Sequence, residues 1–311
     1  FSRVEQGGEI NSETRNEING MCKHIYKSLQ QRQSGYIKSI LSKTIKDRNA
    51  SAVDSIVNEI SIDTINQQYK VEGEFLVKNF LHSNIKEVAY KVKDSDDSYH
   101  FNFVPISNRT YIMLFSVPTL NIHNSLLISC LFCEENDQWK LYSMNFGLFK
   151  IKGMQAIQLY KIGREKVKNG DDISGVIYEE LARECALPAD NEFHYDSETE
   201  LKNFLDSFNQ DLRTKFKLPI KINSIWSHPE ILSIKSQMTK EGFYPYILYR
   251  TNISIADTIA LQKENNQLHA QIDTILPHVK QSFDTILYKA VNDYSNETHE
   301  TPQHGFIKGT R

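Results

Sequence analysis

An α+β fold is predicted for this chain, and three observations predict it. Apolar residues recur at helical spacing in the first part of the chain, alternate with period two from about residue 88 to residue 151, and return to helical spacing over residues 157–188. The alternating segments are separated by short polar turns, the pattern of an antiparallel meander. A chain of 311 residues that is 40% hydrophobic and 11% aromatic has enough apolar material for two packed domains.

From Asn11 to about Gln33, Ile18, Met21 or Cys22, Ile25 and Leu29 mark one face of an amphipathic helix. A second helix is expected from Tyr36, with Ile37, Ile40, Leu41 and Ile45 on one face, until Asp47-Arg48-Asn49 breaks it. Ser51 or Asp54 opens a third through Val53, Ile56, Val57 and Ile60, and a fourth is expected over Thr64 to Phe80. Five strands follow: Val88–Val92, Tyr99–Val104, Tyr111–Val117, Leu126–Cys133 and Trp139–Ile151. In the third and fourth of these, both alternating sets are apolar, which predicts cover on both faces.

The stretch Ile157 to Pro188 reads as a helical hairpin. Ile162-Gly163 lies in its first helix, Asn169-Gly170-Asp171-Asp172 forms the turn, Gly175 and Ala182 recur in its second helix, and Pro188 stops it. After a boundary at Pro188–Asn191, Ser197 and Glu200 have capping-box spacing ahead of Leu201, Phe204, Leu205, Phe208 and Leu212. Ile220–Trp226 is expected as a strand, Pro229–Met238 as a short helix and Tyr244–Ile255 as a strand. Leu261, Leu268, Ile272, Ile275, Val279, Phe283, Ile286 and Ala290 form a row expected on a long amphipathic helix or on a kinked pair, because Pro277 lacks the N–H the ladder needs. The expected organisation is helices plus sheet over 11–151, a hairpin connector over 152–190, an α+β domain over 191–294 and a polar tail over 295–311.

Three resemblances follow from these residues. Gly163, Gly175 and Ala182 make the hairpin at 157–188 similar to a single tetratricopeptide-type unit, where small residues admit close helix approach and neighbouring structure must cover the apolar face. Helices before a twisted antiparallel sheet make Ile18–Ile151 resemble the cystatin-like or NTF2-like architecture, which implies a curved sheet wrapped on helix and an enclosed apolar pocket. Tyr99, Phe101, Tyr111, Trp139 and Tyr142 would be the ligand-binding lining. The polar Ser2–Glu13 segment resembles the spacer that opens mature bacterial envelope lipoproteins, which implies an extracytoplasmic protein with a lipid anchor outside this sequence.

Composition narrows the function. A formal charge of −3 and a pI near 6.4 argue against a general nucleic-acid binder. No apolar run has the roughly 18 residues that span a bilayer. Cys22, Cys130, Cys133 and Cys185 form no disulfide-rich framework. Cys130 and Cys133 have redox-motif spacing, yet their flanks say buried strand, where residues three apart face opposite ways. Charge is unevenly spread. Lys23, Lys27, Arg32, Lys38, Lys43, Lys46 and Arg48 make the first helices basic, and Asp171, Asp172, Glu179, Glu180, Glu184, Asp190, Glu192, Asp196, Glu198 and Glu200 make the later segment acidic.

Motifs for chemistry are sparse. Phosphate-cradling glycine loops, the nucleophile elbow and the two-histidine zinc helix are absent from the sequence. His299, Glu300 and His304 have the wrong spacing for zinc, with Pro302 between them. Asp94, Asp96 and Asp97 lack the glycine and the twelfth-position acid of a calcium loop. Ser83 and Lys86 have serine–lysine spacing that chance supplies, and His228 sits between two expected elements without an accompanying acid or thiol. No metal and no cofactor is expected. The function expected first is non-catalytic binding of a protein partner or scaffolding of an assembly; the alternative is an apolar small-molecule binder, and third comes an enzyme whose active site the sequence does not reveal.

Overall fold

The computed structural model describes residues 2–49, 51–60, 68–79, 86–90, 98–119, 124–203, 217–239, 242–292 and 302–310. Contacts divide the chain into two compact units, Phe1–Ala156 with Glu184–Glu198, and Ile157–Arg183 with Thr199–Arg311. Both mix helix and sheet, as an α+β fold requires.

In the first unit, α1 (Ser12–Gln31) begins where the Asn11 side chain accepts a hydrogen bond from Glu13 N at 2.8 Å, and ends at Arg32 in the left-handed region. Its stripe of Ile18, Cys22, Ile25 and Leu29 is buried, as the spacing predicts. The single helix expected from Tyr36 is instead two, α2 (Gly35–Ser39) and α3 (Lys43–Asn49). The break has a hydrogen-bonding cause: Leu141 N donates to Ile40 O and Ser42 N donates to Leu141 O, both at 2.8 Å, so these backbone groups serve a sheet edge rather than a helix. Next comes α4 (Ala52–Glu59).

The main sheet has the order β1 (Ser2–Gln6), β2 (Lys70–Asn79), β5 (Arg109–Pro118), β6 (Ser125–Glu135), β7 (Gln138–Lys150), antiparallel throughout. Its last three strands are the predicted meander. One expectation is corrected: Lys70–Asn79 is a strand and not part of a fourth helix; Ser2–Gln6, in the polar opening segment, is also a strand. The predicted first and second strands, β3 (Lys86–Tyr90) and β4 (Tyr99–Phe103), leave the meander and form a separate three-stranded sheet with β9 (Phe193–Tyr195).

The helix-facing side of the main sheet supplies Leu76, Tyr111, Met113, Phe115, Ile128, Cys130 and Phe132 to one core with α1, α2 and α4. The other side carries Phe75, Ile112, Leu114, Leu127 and Leu131, each at most 1% exposed. There Phe149 meets Phe193 of β9 edge to face at 6.4 Å, and the Tyr99 hydroxyl donates to Glu72 O at 3.3 Å. Both faces are therefore covered, as the doubly apolar strands predict. Cys130 joins the helix-side core and Cys133 falls on the opposite face; all four cysteines are buried free thiols. At Gly147 a Cβ would stand 2.8 Å from the Pro188 carbonyl oxygen, so β8 (Pro188–Asn191) passes β7 at a distance only glycine permits.

In the second unit, α5 (Ala156–Lys168) and α6 (Asp172–Glu184) form the predicted hairpin around Gly170 at φ 80°. A Cβ on Gly163 would lie 3.3 Å from both Gly175 O and Tyr178 Cβ, so the small residues do let the helices approach. The sheet order is β10 (Ile220–Lys221), β11 (Glu230–Met238), β12 (Phe243–Arg250), β13 (Thr285–Val291), β14 (Gln303–Gly309). Only β12 and β13 run parallel, joined across α7 (Thr258–Ile275) and the single-turn α8 (Val279–Ser282), the crossover that parallel pairing demands.

Four expectations change here. The strand expected over Ile220–Trp226 stops at Lys221, and Pro229–Met238 is a strand from Glu230, not a helix. The long helix ends at Ile275, with Ile286 and Ala290 on β13, because His278 in the left-handed region and Phe283 in extended backbone turn the chain back onto the sheet. The expected polar tail contains β14, paired with β13 from Gln303 to Gly309. The expected helix face of Phe204, Leu205, Phe208 and Leu212 lies outside the described residues, as do Ser83, Asp94, Asp96, Asp97, His299 and Glu300.

Candidate functional site

Within the first unit, α2, α3 and α4 stand against β7 and leave a pocket of about 250 Å³ lined by Ile37, Leu41, Val53, Ile56, Leu141 and Met144, with Ser143 and Asn145 at its polar side. A second, more open depression of about 380 Å³ shares Ile56, Met144 and Asn145 with it and extends past Phe146 to Leu187 and Asp190. The pocket follows from the break at Ile40–Ser42: that segment docks on Leu141 near the start of β7, and β7 from Ser143 to Phe146 stays half-buried.

Among the described lining residues, Asp190 is the one with a carboxylate or basic group. Glu192 lines neither depression; its Oε2 accepts from Asn145 Nδ2 at 2.8 Å on the side of β7 away from Met144 and Phe146, the face that Pro188 also covers at Gly147. Burial holds the Glu192 carboxyl up at about 7; the Asn145 and Ser143 hydrogen bonds oppose that rise and the Asp190 charge adds to it. The pocket is thus apolar inside, with Asp190 at the neighbouring depression.

The five aromatic residues predicted as lining are not gathered at one cavity. Tyr142 borders the pocket, and its hydroxyl donates to Val104 O at 3.3 Å. Tyr111 and Trp139 pack edge to face at 6.2 Å in the helix-side core. The Tyr111 hydroxyl donates to buried Glu74 at 2.9 Å, and Glu74 also pairs with Arg15 of α1. Tyr99 and Phe101 belong to the small sheet, where Tyr99 stacks on Phe193 at 4.5 Å. Sequence reasoning missed Ile56, Met144, Asn145 and Asp190 as lining residues. The one available signal was the acidic cluster after residue 170, which includes the last of these.

Two other polar groupings lie in the second unit. A pocket of about 460 Å³ beside the hairpin turn is lined by Lys166, Asp171, His278 and Ser282 among others. The Ser282 hydroxyl donates to Asp171 Oδ2 at 2.5 Å and accepts from Lys166 Nζ at 3.3 Å. Asp171 Oδ1 meanwhile caps α6 by accepting from Ser174 N at 3.2 Å. His278 Nδ1 bonds to Gln281 Oε1 at 3.3 Å, and the Ser282–Asp171 bond ties α8 to the hairpin. The second grouping is Glu264 of α7, fully buried, whose Oε1 accepts from the hydroxyls of Ser227 and, at 2.8 Å, Thr251. His228 lies in an exposed left-handed turn.

His100 and His194 stack at 5.1 Å on paired strands, with Asp196 3.6 Å from the first and Glu198 2.7 Å from the second. Among the described residues, no group of three or more His, Cys, Asp and Glu side chains is placed to hold a metal ion. No described helix is long and apolar enough to cross a membrane. The chain matches no protein-family model, no curated protein and no solved structure.

Proposed function

We propose that the first unit binds a small apolar molecule between its helices and β7. The observation that supports this is the pocket bounded by Ile37, Leu41, Val53, Ile56 and Leu141, open toward Asn145 and continuous in its lining with the depression at Phe146 and Leu187. The test uses the neutral apolar fluorophore N-phenyl-1-naphthylamine. Saturable, stoichiometric fluorescence enhancement is expected, and Ile56→Trp, which places an indole across the half-buried opening, is expected to weaken it about tenfold with an unchanged thermal melt. Probe binding that never saturates, or that ignores Ile56→Trp, would sink the reading.

Docking of a protein partner is the second reading, and Trp226 favours it. This side chain is 56% exposed on a loop pinned at both sides, by Ser224 to Gln271 and by Ser227 to Glu264. An exposed, rigidly held tryptophan is the kind of residue that dominates interfaces. Trp226→Ala is then expected to abolish capture of that partner in affinity isolation while leaving fluorophore binding by the first unit intact.

A further inference from the structure

β7 is an outer strand of the main sheet and pairs with β6 on one side only. At Leu141 its other edge is already in use. Leu141 N donates to Ile40 O, and Leu141 O accepts from Ser42 N, so the chain lays its own residues 40–42 beside β7 as the beginning of a parallel strand. At Lys43 α3 begins and that strand stops. A bulge then takes up Tyr142, so that Leu141 stands opposite Phe132 and Ser143 opposite Leu131. From there the antiparallel ladder alternates: Ser143 and Asn145 turn their N–H and C=O groups toward Leu131 and Ser129 of β6, and Met144 and Phe146 turn theirs toward the free edge. Among the described residues, nothing bonds to those outward groups. They border the depression of about 380 Å³ whose further lining is Ile56 of α4 with Leu187 and Asp190 of the segment after α6.

Other outer strands carry charges of the kind that block pairing with a further strand: Arg3 and Glu5 on β1, Lys86 and Glu87 on β3, Lys221 on β10, Lys308 on β14. From Leu141 to Phe149, β7 has neither a charged residue nor a proline. We infer that its free edge binds an extended peptide of a partner protein as an added strand, continuing the line that residues 40–42 begin, with apolar residues at alternate positions and a basic residue between them at Asp190. The backbone of Met144 and Phe146 supplies main-chain hydrogen bonds, which any sequence can make, and the depression selects among the side chains. On the face of Met144 and Phe146, both packed with Ile56 against the helix-side core, the peptide meets apolar surface. Asp190 is the one charged lining residue, so the matching side chain is a lysine or an arginine. The added strand uses the sheet edge and the open depression, not the pocket interior, so a peptide and a small apolar molecule are separate occupants.

The probe is fluorescein-labelled Thr-Val-Lys-Val-Thr-Val, amidated at its C-terminus, titrated into the full chain and followed by anisotropy. Saturable binding is expected. The amides of Met144 and Phe146 should exchange hydrogen rapidly in the free protein and be protected in the complex. Two further peptides, N-methylated at the valines or at the alternate residues, separate strand addition from apolar adhesion, because only one set turns its N–H groups to β7. One set is expected to weaken binding about tenfold and the other to leave it unchanged. Replacing the lysine by glutamate is expected to weaken binding about fivefold, the scale of one exposed ion pair. Asp190→Asn should remove that difference; the residue sits at φ 53°, which asparagine also tolerates. No saturable binding, protection confined to other strands, or equal weakening by both methylated sets would overturn the added strand. Equal affinity for the lysine and glutamate peptides would overturn the role of Asp190.

Discussion

Phe193→Ala is expected to cost the first unit about 3–5 kcal/mol, the range for emptying a fully buried phenylalanine site. The ring is 0% exposed and joins three aromatic neighbours: it stacks on Tyr99 at 4.5 Å and meets Tyr195 at 4.9 Å and Phe149 at 6.4 Å edge to face. Phe149 belongs to the main sheet and the other three to the small one, so this ring is a principal apolar link between the layers. Its backbone pairs with Phe101, and no other strand pairs with β4 on that side. The cavity would have little freedom to collapse, because both sheets are held by their own ladders. Urea denaturation followed by circular dichroism should show the midpoint fall with the slope unchanged, and Phe193→Leu should recover more than half of the loss. A loss below about 1 kcal/mol for the alanine variant would mean that the small sheet is held by other contacts.

The same region shows why part of the fold was legible and part was not. The hairpin of α5 and α6 was readable because its signals are local: helical periodicity, an Asn-Gly turn and small residues, each acting within a few turns of its neighbours. The meander β5, β6, β7 was readable for the same reason. By contrast β4 pairs with β9, so that Tyr99 faces Tyr195, and nothing in the residues next to Tyr99 specifies a partner so distant in the chain. Lys70–Asn79 was misread as helix because Phe75, Leu76 and Val77 are all buried, which erases the alternation that marks a strand.

Pro229–Met238 misled in a different way. Ile231 and Ile234 have helical spacing, and Pro229 looks like a first-turn proline. In the structure a bulge between Ile231 and Ser233 inserts one residue into β11, so Ile231 opposes Tyr249 and Ile234 opposes Ile247. The two isoleucines therefore share a face at a spacing of three while remaining in a strand. Terminal strands β1 and β14 were missed because an edge strand needs few buried side chains; of β14 only Phe306 is buried. The candidate site suffered from the same distance problem as β4 and β9. Its apolar walls come from α2 to α4 and from β7, and Leu187 and Asp190 come from the segment after α6, stretches far apart in the chain.

The second large effect is expected at Glu264. The residue projects from α7 into the core of the second unit with no exposed surface, and both the Ser227 and Thr251 hydroxyls donate to its Oε1. Glu264→Ala removes the acceptor for two donors at once, and each buried donor left unmet costs about 1–3 kcal/mol. A loss of about 3–4 kcal/mol is therefore expected at low pH, below the unfolded carboxyl value of about 4.3, and it should shrink as pH rises. Glu264→Gln keeps an acceptor oxygen in place and isolates the charge. Burial raises the Glu264 carboxyl above the ordinary carboxylate range, against the lowering by its hydroxyl partners. An acid with a raised folded-state value binds more protons folded than unfolded, so its contribution is fully present below the unfolded value and is lost as pH climbs through the folded value. The contribution of Glu264 is then lost as pH rises above the unfolded carboxyl value of about 4.3, so the parent should lose more stability than the glutamine variant over that interval. Urea midpoints at pH 5 and pH 8 compare the two directly. Equal slopes for parent and Glu264→Gln would show that Glu264 titrates as a solvated acid, and the hydroxyls of Ser227 and Thr251 would then be bonded to a carboxylate whose burial carries no penalty.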